Sequence, residues 1–362
     1  MERFENIKTS IDNADNIKLL FPENPEAECL SSVLALYFAL KKMGKNVFIP
    51  IERLPNNILS SIGIERKQIS ITFGKETSEV YYDKEPNGLK LTIIPKNSDF
   101  SLDNLSVKIN VEKTNFDVKE LDSFELVISI GIQKFEQVDK LLMASEEELF
   151  DCTIINIDNN LTNENYGDIN IVENNVSILK IISLIIKQVG EKSYNKESMD
   201  FLIYGFFSQE RLKQENIPII KWLIKNNGDF DLYYSQEKLV KPAWINDFKE
   251  IIRNSVASKD KKNIYSYLNP DKDIIENFEE KIRNILSVSK VFHEWINPSS
   301  FFIAFYDPKE NMTKVIFYSS EQSIIETMRN QHAGMYKESG GIIYLKETTP
   351  KESIEIIKSS LE

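Results

Sequence analysis

The sequence predicts an α/β fold: a parallel, doubly wound sheet domain carrying a β-rich insertion, followed by a smaller C-terminal mixed α/β domain. Three observations carry that prediction. The first 50 residues read helix, strand, helix, strand, which is a βαβ unit with an extra leading helix. Leu126–Ile130 and Thr153–Ile157 are short continuous apolar runs, as expected of parallel strands covered on both faces. Between 68 and 113 the apolar residues recur with a period of two, as in antiparallel strands.

Taken in order, Ile17–Phe21 is a short apolar strand. Ser31–Lys42, apolar nearly all round at Val33, Leu34, Leu36, Tyr37, Phe38 and Leu40, is a helix packed on a sheet and ended by Gly44. Val47–Ile51 completes the unit, and its ligand end is the loop Pro22–Cys29. The insertion, 68–113, reads as a meander: Ile69, Ile71 and Phe73; Val80 and Tyr82; Leu89, Leu91 and Ile93; Val107, Ile109 and Val111, with Pro86-Asn87-Gly88 as a turn. Helices are expected over Val176–Val189, within Met199–Tyr234, and over Trp244–Ser255 and Asp271–Val288. Beyond them Phe301–Tyr306, Lys314–Tyr318 and Gly341–Lys346 are strands, and Glu321–Asn330 and Lys351–Leu361 are helices. The domains implied are 1–235 with its insertion, a helical linker and start of the second domain at 236–296, and 297–362.

Composition narrows the function. The chain of 362 residues carries 44 Lys+Arg against 56 Asp+Glu, a net charge of −12, which repels the backbone of long duplex DNA. A start that mixes acids and bases is unlike a signal peptide, and no run of about 18 apolar residues predicts a membrane span. Two cysteines, Cys29 and Cys152, make neither a disulfide framework nor a metal cluster and fit a reducing cytoplasm. Only two histidines, His293 and His332, are present, so chemistry needing several imidazoles is excluded.

Two polar stretches lie at expected strand ends. One is Ile155-Asn-Ile-Asp158-Asn159-Asn160-Leu-Thr-Asn-Glu-Asn-Tyr-Gly-Asp168; the other is Asn24-Pro25-Glu26-Ala27-Glu28-Cys29-Leu30-Ser31-Ser32. The first resembles the Asp-His-His signature of the DHH phosphoesterases, including its Asn-Tyr-Gly-Asp-Ile-Asn continuation at 165–170. The second resembles that family's opening motif, His-x-Asn-Pro-Asp-x-Asp-x-x-Gly-Ser. Glu125–Ile132 is similar to the second motif, with Gly131 where the family has a metal-binding Asp. Leu202–Gln209 is similar to the late Asp-Thr segment and reads Ser208-Gln209. Ala333–Gly341 is similar to the glycine-rich loop of the DHH-associated C-terminal domain, with Tyr336 in the histidine position. The layout is most similar to the nanoRNase and pAp phosphatase branch.

The resemblance implies two Mn²⁺ or Mg²⁺ ions that activate water and clamp a phosphate at the strand ends. The corresponding positions here are Pro22, Glu26, Glu28, Gly131, Asp158, Asn159 or Asn160, and Ser208, so only three acids remain. Glu26, Glu28 and Asp158 are the candidate ligands, and Asp158 the candidate catalytic residue. Each Glu is longer than the Asp it replaces, and Mg²⁺ wants near-octahedral ligands at about 2.0–2.1 Å, so the expectation is no metal or a weakly bound Mn²⁺ or Mg²⁺. The candidate substrate-binding set is Asn24, Asn159, Asn160, His332, Tyr336, Lys337, Gly340 and Gly341, with Arg329 and Ser339 able to help hold a phosphate.

Each candidate has a plainer explanation. Glu26 and Glu28 suit a helix N-terminus by charge, worth roughly 0.3–1 kcal/mol. Asp158 suits a turn cap, Asn159-Asn160 a loop, and Gly340-Gly341 a turn into the next strand. Cys29 has no histidine within reach in the sequence before residue 293 to act as its base. Lys41, Lys42 and Lys45 suit a solvated helix end, and Phe201, Tyr204, Phe206 and Phe207 a core. The expected function is a catalytically degenerate member of this family that binds a nucleotide or short single-stranded oligonucleotide between its domains. The alternatives are an active Mn²⁺-dependent phosphoesterase on a rebuilt site and a protein-interaction scaffold; a homodimer is compatible with either.

Overall fold

The computed structural model describes residues 2–50, 54–55, 58, 68–73, 77–85, 88–95, 105–110, 124–142, 152–208, 214–237, 244–260, 262–269, 283–289 and 298–361. The chain divides into two units, Leu54–Lys119 and the remainder. In the larger unit α1 (Glu2–Asn13) leads into β1 (Asn16–Leu20), α2 (Ala27–Lys42) and β2 (Asn46–Phe48). The smaller unit holds β3 (Gln68–Phe73), β4 (Thr77–Glu85), β5 (Gly88–Pro95) and β6 (Leu105–Asn110). These four are not a meander: β3 pairs with β6 and β4 with β5, so one hairpin is nested in sequence inside another pair. Alternation alone marks a strand but not its partner, which is why the sequence reading erred here. Pro86, Asn87 and Val111 lie outside the described residues.

The larger unit resumes with β7 (Leu126–Ile130), α3 (Phe135–Leu142), β8 (Thr153–Asp158) and β9 (Ile169–Val172). Strands β2-β1-β7-β8-β9 form one sheet in that order, every neighbour parallel. All five residues of β7 are buried, as its apolar run demands. Alternation turns Val127 and Ile154 toward Val138 of α3, in a cluster with Leu20, Ile132 and Cys152. Ile128, Ile130, Ile155 and Ile157 therefore face the other side, where α2 packs against α4 (Ile178–Val189) and α5 (Lys196–Phe207). Counted within the sheet, the order is 2-1-3-4-5, a doubly wound topology whose strand order reverses between β1 and β7. Ligand crevices of such sheets lie at that switch point, beyond the carboxyl ends of the strands.

Next come α6 (Ile217–Lys225), α7 (Asp231–Gln236) and α8 (Ile245–Asn254); Phe207, Phe230 and Phe248 form an edge-on aromatic core among them. The second sheet contains β10 (Val256–Ala257), β11 (Asn263–Tyr267), β12 (Ser300–Asp307), β13 (Met312–Ser319), β14 (Gly334–Lys337) and β15 (Gly340–Lys346), in the order β10-β11-β12-β13-β15-β14. Only the β11–β12 pair is parallel. Its apolar face is covered by α9 (Gln322–Gln331) and α10 (Pro350–Leu361) through Ile324, Ile325, Met328, Ile354 and Ile357. Strands β10 and β11 fall within 236–296, a stretch whose charge reads as helix; of the helix expected over Asp271–Val288 the structure describes 283–289. Among the described residues no helix is long and apolar enough to cross a membrane.

Candidate functional site

The switch point is built from the loops after β1 and β7 and the start of α2, which begins four residues earlier than its apolar run because Ala27–Leu30 already make helical hydrogen bonds, Leu30 N–H donating to the Glu26 carbonyl at 2.9 Å. Glu26 is the N-cap, extended in backbone and exposed in side chain, and Asn24 is exposed beside it. Glu28 turns across to the next helix: its Oε1 accepts the Ile178 N–H at 2.6 Å. It thereby satisfies one of the orphan amides of α4 and sets a negative charge at the positive end of that helix.

Cys29 follows, buried, its thiol donating to the Ile130 carbonyl at 3.4 Å. Burial pushes that thiol up to about 12, and the carboxylates of Glu28, Asp158 and Glu26 push the same way. It is a protonated packing group and no nucleophile. Its sulfur also closes the position that matters most. Gly131 ends β7 with φ of +71°, and a Cβ placed there would lie 3.1 Å from Cys29 Sγ. An aspartate at 131, the residue the family resemblance implies, would need a left-handed backbone, which costs Asp less than most side chains, and would press its Cβ on Cys29 Sγ.

The residues at this edge do not fit a two-metal centre. Glu28 is committed to α4, Pro22 carries no donor atom in its side chain, and the Ser208 hydroxyl donates to the Tyr204 carbonyl at the end of α5. Gln133 accepts from Thr162 Oγ1 at 3.2 Å. Among the described residues no group of three or more His, Cys, Asp and Glu is placed to hold a metal ion. No catalytic step is derived through such ions.

Asp158 instead anchors a buried polar network. One oxygen accepts the Asn159 N–H at 2.8 Å and the other accepts from Asn163 Nδ2 at 2.8 Å. Asn163 also donates to the Ile132 carbonyl at 2.9 Å, and its Oδ1 accepts from Asn156 Nδ2 at 2.7 Å and from the Asn165 N–H at 2.8 Å. Ser129, Asn156 and Asn170 stand opposite one another on β7, β8 and β9. Asn156 donates to Asn170 Oδ1 at 3.0 Å, and Ser129 Oγ lies 2.5 Å from Tyr166 Oη. Buried polar groups must be paired, and here they pair with each other. The sequence reading missed Ser129, Asn156, Asn163, Tyr166 and Asn170. Their signal was present as single polar residues inside otherwise apolar strands, Ile-Ser-Ile and Ile-Asn-Ile-Asp.

Asn159 and Asn160 lie in the loop after β8. Asn160 Oδ1 accepts the Thr162 N–H at 3.0 Å, and the Glu164 N–H donates to the Gln133 carbonyl at 2.9 Å, tying this loop to the one after β7. Glu164 Oε2 then accepts the Phe135 N–H at 3.2 Å, the first amide of α3. A carboxylate of the chain itself therefore accepts the first amide of α3 and another the first amide of α4.

The C-terminal candidates sit elsewhere in the larger unit. Ala333–Gly341 is mostly the β14–β15 hairpin, not a phosphate loop: Lys337 pairs with Gly340 across its end and is exposed. Tyr336 Oη reaches the carbonyls of Met328 and His332 at 2.8 and 2.7 Å, closing the C-terminus of α9. His332 Nε2 lies 2.9 Å from Ser360 Oγ of α10, and burial holds its pKa below the ordinary 6.5. Gly341 lies between β13 and β14 with Phe317 and Tyr336 as its partners, and a Cβ there would stand 2.4 Å from the Met335 carbonyl oxygen. No hydrogen bond or ion pair joins His332, Tyr336 or Lys337 to Glu26, Glu28 or Asp158. His293 lies outside the described residues.

No family model and no curated protein matches this chain. Among solved structures, an exopolyphosphatase-related protein from Bacteroides fragilis is similar over 99% of this chain and 95% of its own, at 14% identity and a TM-score of 0.43. A Methanococcus jannaschii protein assigned to the family II inorganic pyrophosphatases matches over 95% and 99%, at 11% and 0.32. CDC45 from Entamoeba histolytica matches over 99% and 97%, at 9% and 0.27. TM-scores this low leave the reading of function to the chain's own residues.

Proposed function

We propose that this chain is a phosphoesterase-like protein that does not hydrolyse phosphate esters and works by binding. The observation that carries this reading is the closure of position 131: a left-handed glycine with Cys29 Sγ against it, where the resemblance implies a metal-binding carboxylate. Asp158 and Glu28 support it, because both are held in structural hydrogen bonds. As to what is bound, helix N-termini are ready anion sites only while their amides are free. The first amide of α3 and the first of α4 each donate to a carboxylate of the chain already, and the acids there oppose a phosphate, so this reading favours a protein partner over a nucleotide at this edge.

The test is hydrolysis of pApA and pAp with Mn²⁺, beside Asp158→Ala prepared identically, with nucleotide binding followed in the same samples. No turnover above the protein-free blank is expected, with no saturable nucleotide binding. Turnover abolished by Asp158→Ala overturns the non-hydrolytic reading. Nucleotide binding without turnover returns the protein to the carrier role that the motifs imply.

A further inference from the structure

We propose that β14 is a self-association edge: two copies of the chain pair through it across a two-fold axis, Met335 opposite Met335, and join their C-terminal sheets into one. This contact is independent of the strand-end site and of whether that site hydrolyses anything.

The backbone comes first. β14 ends the order β10-β11-β12-β13-β15-β14, and among the described residues no strand lies beyond it. In an antiparallel pair, residues bonded to the neighbouring strand alternate with residues whose N–H and carbonyl point away. The Tyr344 N–H donates to the Ala333 carbonyl at 2.9 Å, and Met335 and Lys337 share the phase of Ala333, so both bond to β15. Gly334 and Tyr336 therefore turn their N–H and carbonyl groups to the open edge. Such an edge is a template for another strand unless something blunts it. Residues 333–338 contain no proline, and the pairing with β15 runs without a register shift.

The side chains fit a second copy of the same strand. Met335 is 61% exposed and ends an apolar row in register across four strands, Ile303, Ile316, Ile342 and Met335, whose first two members are buried. One antiparallel register sets Gly334 against Tyr336 of the other copy, so that the open groups of each satisfy those of its mate. Met335 then meets its own counterpart in the close, non-hydrogen-bonded pair, with Cβ atoms about 4.5–5.5 Å apart, and the apolar row continues across the axis. The Tyr336 ring comes opposite a glycine and Lys337 opposite Ala333, so neither meets a bulky side chain. One step further along, Glu338 comes opposite His332, at the end of the helix that carries Arg329. Arg329 lies over the Tyr336 ring at 5.8 Å, and neither Arg329 nor Glu338 makes an ion pair among the described residues. Each copy thus brings the acid that the base of the other lacks, and the two-fold axis makes the match twice. Residues 329–338 carry Arg329 and Lys337 against Glu338 alone, so the edge escapes the acidity of a chain of net charge −12. The remaining charge is screened beyond about 8–10 Å at physiological salt.

Sedimentation equilibrium on the full chain, 42.0 kDa per copy, tests this. A contact through one short strand buries less than a standard interface, so a dimer with a Kd of about 10–100 μM is expected, seen by scanning roughly 1–500 μM. Met335→Lys sets like charges face to face at the axis and should weaken the dimer about tenfold or more. Because Met335 is exposed, the melting temperature of that variant should be unchanged. Glu338→Arg and Arg329→Glu should each weaken the dimer about threefold or more, and the double exchange should restore it, which side chains serving only the chain's own fold would not do. A chain that remains a single copy throughout the range, a dimer indifferent to Met335→Lys, or charge exchanges that do not rescue one another overturns the proposal. Turnover of pApA by the same samples removes the non-hydrolytic reading and leaves this contact standing.

Discussion

Placing a side chain at position 131 is the sharpest physical test of why a glycine stands there. Gly131→Ala forces an L-residue to φ of +71°, which costs about 1–2 kcal/mol. Its Cβ would also press on Cys29 Sγ at 3.1 Å, and overpacking of a tight core contact adds about 1–3 kcal/mol. The expected loss is about 2–5 kcal/mol, read as a fall in the urea midpoint at unchanged slope. The cause is separable with a second substitution. Cys29→Ala removes the sulfur and leaves the Cys29 Cβ 3.8 Å from the new methyl, an ordinary contact. Alone it should cost about 1–2 kcal/mol as a small buried deletion, but in the double variant the overpacking component disappears. The pair should therefore couple favourably by about 1–3 kcal/mol, well beyond the ~0.5 kcal/mol within which independent sites add. Additive effects, or a single Gly131→Ala costing less than about 0.5 kcal/mol, refute the reasoning that the thiol and the backbone close this position.

Three further outcomes follow from the same structure. Asn163→Leu leaves Asp158, Asn156 and the Ile132 carbonyl short of partners in the interior and should destabilise by about 3–5 kcal/mol in a thermal or urea melt, whereas the exposed Thr162→Ala should cost under about 1 kcal/mol. Gly341→Ala drives a methyl against the Met335 carbonyl and should abolish amide hydrogen-exchange protection of Ile343 while leaving Ile128 protected, because the two residues belong to different sheets. Glu125 accepts the N–H groups of Asn16 and Asp15, which hold its pKa below the ordinary 4.5. A carboxyl lowered in the folded state adds stability above its unfolded pKa and loses it as the pH falls through the folded value. The wild type and Glu125→Gln should therefore differ at neutral pH and converge as the pH falls through the lowered folded-state value, as followed by melting temperature against pH.

Local patterning determined a good deal of this protein. The buried strands β7 and β8, the all-round apolar α2, and β12, β13, β15, α9 and α10 of the C-terminal part are legible because hydrophobic period depends on neighbours a few residues away. Five elements escaped that logic, β10 and β11 because they lie in a stretch whose charge reads as helix. Helix α3 has only one apolar stripe and lies in a charged stretch, β9 is four residues long, and β14 is held by pairing more than by its own sequence, Gly-Met-Tyr-Lys. The pairing of β3 with β6 joins residues more than thirty positions apart and has no local signature.

The site divides along the same line. That Glu26, Glu28, Cys29, Gly131 and Asp158 belong to one strand-end region follows from their order along a βαβ chain, and the sequence alone also excludes several imidazoles. What each of those residues does was decided in three dimensions. Glu28 meets an amide 150 positions away, Cys29 fills the space beside Gly131, and Asp158 turns into a network of asparagines drawn from two strands and a loop. A carboxylate of the same charge and spacing serves as a metal ligand, a helix cap or a buried acceptor according to which donors the fold brings within about 3 Å, since hydrogen bonding falls away steeply beyond that distance.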